Sequence, residues 1–420
     1  MAGIDLGHGS AANTRFSGWR IVAFAIVTAA LTGPGQTIGV SVFVDHLIAD
    51  LDLSRDAVSG AYLAGTLLGS TAMPRVGSWI DRTGVRNAMT WIGVFFGVAL
   101  VAMSGVRSLV TLALGFTFIR MLGQGSLSMV SNVAVTHWFD RRRGLAIGIM
   151  MTSVGALMGL APVALNVSIE SFGWRMSWVV AAVVIWLTVV PIGRFGMIDK
   201  PADVGQIPDG KVVAVTQRTV SNVSVTRSVA IRTPAFWVAA SAIGTQSMLV
   251  TALSFHQIAL LGEVGLTSTE AAAMFLPQVA GAAVAGLLFG SLVDRFPGGR
   301  VLAGTLLLLA FSLWMVGRLD STASVLVYAV ALGASGGGIR STGAAVLPKW
   351  FGPLHIGSIT GVSSLIGVAS SALGPLALSR AQALTDSFGS AAALFIVLPL
   401  AVALVAAMTK PPTSQVATPS

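Results

Sequence analysis

The 420-residue chain has no cysteine, only two tyrosines and very little charge, with Asp, Glu, Lys and Arg making up 10% of its residues. Without cysteine there is no disulfide and no thiolate metal site. An average soluble domain carries roughly a quarter charged residues. A chain this poor in charge and 54% hydrophobic cannot cover a water-facing surface. Catalytic signatures are missing too: there is no HExxH, no GxSxG and no P-loop, and the five histidines are scattered. Metalloprotease, serine hydrolase and self-contained ATP-driven pump are therefore excluded. The expectation is a protein that is not an enzyme and holds no metal or cofactor. The first fifteen residues, MAGIDLGHGSAANTR, lack the short apolar core of a cleaved leader, so the first apolar stretch is expected to stay as a helix, with both tails disordered.

What the chain does have is long apolar runs, each near the roughly 20 residues that cross a bilayer as a helix. They fall near 20–43, 57–77, 88–106, 109–131, 145–167, 176–197, 234–258, 270–292, 300–317, 322–347, 356–378 and 389–408. The mean hydropathy is +0.84. This predicts an all-α integral membrane protein of twelve spans. Glycine is plentiful at 48 residues, which in lipid signals close helix packing. The one long polar interruption, near 195–233, divides the spans six and six. The expected layout is a tail over 1–18, a six-helix bundle over 19–197, a middle loop over 198–233, a second bundle over 234–408 and a tail over 409–420.

The basic residues are unevenly placed. With both termini on the cytoplasmic side, that side receives seventeen of the 25 Lys and Arg, including Arg82, Arg86, Arg141, Arg142, Arg143, Lys200, Lys211, Arg218, Arg227 and Arg232. The other side receives Arg55, Arg107, Arg175, Arg318 and Arg380. This is the bias of the positive-inside rule. The net charge of +9 thus reports topology and contact with anionic membrane lipid, not nucleic acid.

The halves repeat. Gly77-Ser78-x-x-Asp81-Arg82 recurs as Gly290-Ser291-x-x-Asp294-Arg295 at an offset of 213, and Leu53-Ser54 recurs as Leu266-Thr267 at the same offset. Trp138-Phe139 returns as Trp350-Phe351 at 212, and Ala161-Pro162 matches Gly374-Pro375 at 213. A near-constant offset in four places marks duplication. Ser54 and Thr267 are placed to cap the starts of spans 2 and 8. The Gly-x-x-x-Asp-Arg elements supply tight turns with charges at the following helix N-terminus.

The stretch from Gly77 through Asp81, Arg82, Gly84 and Arg86 resembles the loop signature of the major facilitator superfamily, with Trp79 in place of the usual small aliphatic residue, and Gly290 to Arg300 is similar to its weaker second copy. Ser17-Gly18-Trp19-Arg20, the run from Trp138 to Ala146, Phe172-Gly173-Trp174-Arg175 and Lys200-Pro201-Ala202-Asp203 look like the monocarboxylate transporter and oxalate:formate antiporter branch. The resemblance implies two six-helix bundles around a central cavity lined by spans 1, 4, 7 and 10. It also implies alternating access by rocking, with Asp81, Arg82, Arg86, Asp294 and Arg295 as a cytoplasmic latch. The branch's usual charged residues in spans 8 and 11 are missing here, so its binding residues do not carry over.

Charges inside spans cost about 2.5 to 3.5 kcal/mol even on lenient scales and mark function. Arg120 in span 4 and Arg340 in span 10 are the two that stand out, and no Asp or Glu lies deep in a span to neutralise them. A substrate carboxylate held bidentately could do so. Gln36 and Gln246, aligned at an offset of 210, and Gln278, the large polar residue of span 8, complete the expected binding set. His46 and His256 align at the same offset near the outer ends of spans 1 and 7. An imidazole titrates near about pH 6.5, so both are candidates for proton coupling, with Asp45 as the charge partner of His46. The function expected is proton-coupled symport of a small organic anion, a monocarboxylate such as lactate or pyruvate, by a monomer in the plasma or inner membrane. Efflux of amphipathic compounds, carboxylate exchange and a non-transporting membrane sensor are the alternatives.

Overall fold

The computed structural model describes residues 16–140, 142–210, 225–352 and 355–409, so the tails, Arg141, Lys211 and Arg218 lie outside the described residues. Those residues are helical with no strand among them. Among the described residues, ten helices are long and apolar enough to cross a membrane, and two further crossings are assembled from shorter pieces. Span 1 is not the single run expected. It proceeds as Gly18–Ala30, a 3-10 turn Gly33–Gly35, Thr37–Ser41 and Val44–Leu51, because Pro34 offers no N–H and sits between two glycines. Span 2 begins as Arg55–Thr71, bends at Ala72 and continues into Met73–Ser104. That helix leaves helical geometry at Gly84, where φ is +80°. Spans 2 and 3 meet there, at a backbone conformation open to glycine.

The remaining crossings are span 4 (Leu109–Trp138), span 5 (Arg143–Phe172), span 6 (Trp174–Gly196), span 8 (Ser268–Arg295), span 9 (Gly298–Val316), span 10 (Thr322–Phe351), span 11 (Ile356–Thr385) and span 12 (Phe388–Met408). Span 7 is Pro234–Phe255 followed by Gln257–Gly262, with His256 at the break. The halves pack alike: span 2 on span 4 as span 8 on span 10, span 1 on span 5 as span 7 on span 11, and span 3 on span 6 as span 9 on span 12. Ser54 accepts from the amide of Ala57, and Thr267 accepts from that of Glu270, so both second helices of the repeat start with the cap their sequences suggest. Small residues let backbones close up in lipid. Gly333 and Gly337 of span 10 abut the backbone of span 8 at Gln278 and Ala282, leaving no room for a side chain.

The segment after span 6 is a strap, not free loop. Trp138 Nε1 donates to the Ile198 carbonyl at 3.1 Å, and His137 Nδ1 donates to the Asp199 carbonyl at 3.2 Å. The Asp199 carboxylate accepts from the Arg86 amide at 2.7 Å, capping span 3 just after Gly84. Gln206 accepts from the Ser17 amide at 3.0 Å, and Asp209 accepts from the amides of Asp140 and Arg142 at 3.1 and 3.3 Å. One short segment thus ties together the starts of spans 1 and 3 and the end of span 4.

Candidate functional site

Among the described residues, the two halves meet at one end of the molecule only. At the end where spans 1 and 2 and spans 7 and 8 are joined, Asp56 of span 2 pairs with Arg380 of span 11 at 3.1 Å. Across the molecule, Thr269 of span 8 donates to Glu170 of span 5 at 2.7 Å and accepts from Asn166 at 2.8 Å. These contacts are related by the internal repeat: span 2 meets span 11 as span 8 meets span 5. Tyr62 also lies against Phe255 with ring centroids 4.6 Å apart. At the opposite, basic end no hydrogen bond or ion pair joins the halves among the described residues. Open space fronts Gly148 and Gly155 of span 5 and Gly361 of span 11, so the central cavity opens at the basic end.

Arg340 stands in the wall of that cavity. Gly338 abuts Thr305 of span 9, Ser341 abuts Gly286 of span 8 and Gly343 abuts Ile243 of span 7. Helical spacing then puts Arg340 between spans 7 and 8, on the face turned away from span 9. Its side chain is exposed although it lies well within the span, and it has no hydrogen bond or ion pair among the described residues. A planar cation with all five N–H donors free is a receptor for a carboxylate.

Arg120 is placed differently. It is 4% exposed. Its Nε donates to Thr66 at 3.1 Å and its Nη1 to the Gly35 carbonyl at 3.2 Å, within 3.5 Å of Thr37 Oγ1. Its guanidinium lies 4.8 Å from the centroid of Tyr62, whose hydroxyl is 2.7 Å from Thr37 Oγ1. Arg120 therefore ties the broken span 1 to spans 2 and 4. It begins a π-helical stretch, Arg120–Leu127, a widened turn often found where helices serve function. The same side chain lines a cavity of about 180 Å³ together with Thr66, Ser70 and Met73 of span 2, Gln124 of span 4 and Val368 of span 11. Thr66 and Gln124 carry no charge, and only the fold shows them beside Arg120.

The glutamines are engaged with the protein. Gln246 donates to Ser335 of span 10 at 2.8 Å, while its buried Oε1 has no partner among the described residues. Gln36 donates to Thr32 at 3.1 Å, and Gln278 donates to Gln257, which donates to the Ala271 carbonyl at 3.0 Å. Asp45 is held by Arg55 at 2.7 Å, not by His46, which is exposed. His256, by contrast, is buried at the closed end. The structure does not bring the two histidines together. Asp81, Arg82, Asp294 and Arg295 are exposed at the open basic end without hydrogen bonds among the described residues, whereas Arg86 donates to the Arg194 carbonyl at 2.8 Å.

Comparison with known proteins points one way. The profile of the Major Facilitator Superfamily matches residues 22–262 and 253–420. Monocarboxylate transporter 11 of Mus musculus is 29% identical over 162 residues, a match spanning 38% of this chain and 36% of that protein. A bacterial homolog of the human lysosomal transporter Spinster, solved in an inward-facing and unoccupied conformation, superposes with a TM-score of 0.72 at 18% identity, over 93% of this chain and 97% of that one.

Proposed function

Because the chain belongs to the major facilitator superfamily, a superfamily of multi-pass membrane transporters, we propose that it carries a small organic anion, a monocarboxylate, by alternating access and in symport with protons. The observation that carries this reading is Arg340, an unneutralised guanidinium in the wall of the open cavity. Its planar fork pairs bidentately with a carboxylate, as it does with a phosphate. The partial likeness to a monocarboxylate transporter supports the same substrate class. Arg120, committed to Thr66 and Gly35, holds span 1 in place and offers its remaining edge to the side cavity.

The concentration of Arg and Lys at the open end favours placing that end, with both termini, in the cytoplasm, in a plasma or inner membrane. On that topology the conformation faces inward, as in the Spinster homolog. Asp81, Arg82, Asp294 and Arg295 are then latch groups waiting for the basic end to close. The glycine-fronted walls of spans 5 and 11 favour one second reading, export of amphipathic compounds.

Uptake of a radiolabelled panel of short carboxylates into proteoliposomes with an imposed pH gradient tests the reading. Arg340→Ala should lower uptake at least tenfold, since a charge-assisted pair is worth about 1.5 to 3 kcal/mol, and Arg340→Lys should recover part of it. Equal uptake by Arg340→Ala would refute the clamp. Competition by lipophilic cations in place of lactate or pyruvate would favour the second reading.

A further inference from the structure

The buried imidazole at the closed end is built for one protonation state. His256 sits at the break in span 7 and is 1% exposed. Its Nε2 lies 2.9 Å from the carbonyl oxygen of Pro375 in span 11. A carbonyl only accepts, so Nε2 carries the hydrogen and the neutral ring presents Nδ1 as a bare acceptor. Nδ1 has no partner. The ring packs against Phe255 and, at 5.4 Å, against Phe388 of span 12. That same phenyl ring has the Arg55 guanidinium of span 2 over it at 5.8 Å. Phe388 thus touches both a cation of one half and an imidazole of the other.

Charging His256 here places a second cation beside Arg55 and creates an Nδ1–H with no acceptor. Of the other charged groups on the surrounding elements, Asp45 pairs with Arg55, Asp56 pairs with Arg380 through one oxygen while its buried Oδ1 has no partner among the described residues, the Glu263 carboxylate accepts from the Phe388 amide at 3.1 Å, and Asp386, between spans 11 and 12, is exposed to solvent. Opening this end would separate Arg55 from His256 and admit water. The open arrangement therefore binds the proton more tightly, and a ligand shifts an equilibrium toward the state that binds it better.

We propose that His256 is a proton-operated release for the closed end: protonation opens it and deprotonation lets it seal. This inference rests on the alternating-access reading and on no substrate assignment. It gives His256 control over when the end opens, separate from any proton that crosses with substrate.

The chain has no cysteine, so Ala49→Cys and Leu384→Cys, both exposed at this end on opposite halves, take paired spin labels without a background. Distance distributions are recorded in lipid nanodiscs without substrate, between pH 8 and pH 5.5, above the carboxylate range. The labelled chain should be closed at pH 8. Its ratio of open to closed molecules should rise about tenfold by pH 5.5, one unit below the ordinary imidazole value of about 6.5 that a hydrated, open end restores. His256→Gln keeps a donor for Pro375 and should abolish the response. Arg55→Gln removes the repelling cation and should reduce it, which serves should the first variant fail to fold. A pH response retained in full by His256→Gln overturns the proposal, as does closure on acidification. Loss of carboxylate uptake with the distance response intact would count against the substrate reading alone.

Discussion

Among the contacts across the closed end, two polar ones are related by the internal repeat but differ in strength, and Thr269→Val tests which of these matters more. Valine matches threonine in shape and removes both hydrogen bonds that cross between spans 5 and 8, those with Glu170 and Asn166. It leaves the Thr267 cap untouched. A hydrogen bond to a charged group contributes about 1.5 to 3 kcal/mol and a neutral one about 0.5 to 1.5 kcal/mol. Glu170 is exposed, so water recovers part of this, and a net loss of about 1 to 2 kcal/mol remains, a shift of roughly 5- to 30-fold toward the end-open state. The ion pair at the other edge is weaker. The Arg380 side chain is 71% exposed and that of Asp56 19%; solvent around the guanidinium screens the pair toward the roughly 0.2 to 1 kcal/mol of exposed pairs, so Arg380→Gln should shift the ratio less than about fivefold. Spin-label distances across the closed end, at one pH and without substrate, measure both. A larger shift from Arg380→Gln than from Thr269→Val would refute this ranking.

Two further substitutions check how the scaffold is held. Gly337→Val drives a branched side chain into the span 8 backbone at Ala282; overpacking of this kind costs about 1 to 3 kcal/mol, so the unfolding temperature in detergent should drop, and an unchanged value would show that spans 8 and 10 are not in close contact. Asp199→Ala removes the acceptor of the Arg86 amide at the start of span 3; losing a cap costs about 1 kcal/mol, and hydrogen exchange at Arg86 and Asn87 should quicken severalfold while the second half stays unchanged.

The scaffold was legible in the sequence because bilayer thickness and capping are local rules. Apolar run length marked the crossings, and Ser54 and Thr267 marked where two of them begin. Family likeness and the constant offset gave the two-bundle fold. The break in span 1 was only half visible: Gly33-Pro34-Gly35 announces a helix interruption, but the helix's resumption to Leu51 depends on packing against its neighbours. Sequence drew attention to Arg120 and Arg340 equally, since each is a cation in an apolar run. Their different surroundings come from partners far away in the chain, Thr66 and Gly35 for one and an open wall for the other. Asp199 and Asp209 read as ordinary loop acids, because nothing local reveals that their carboxylates cap helix and loop amides across more than a hundred residues in one case and nearly seventy in the other.

The unequal pair of contacts at the closed end has a consequence for how that end opens. The Asp56–Arg380 edge is solvent-facing and coulombic, so counter-ions weaken it within a Debye length of about 8 Å at physiological ionic strength. The Thr269 edge is a hydrogen-bond relay anchored on Asn166, which is 1% exposed, and salt acts on it far less. Rising salt should therefore loosen the edge between spans 2 and 11 before it loosens the edge between spans 5 and 8.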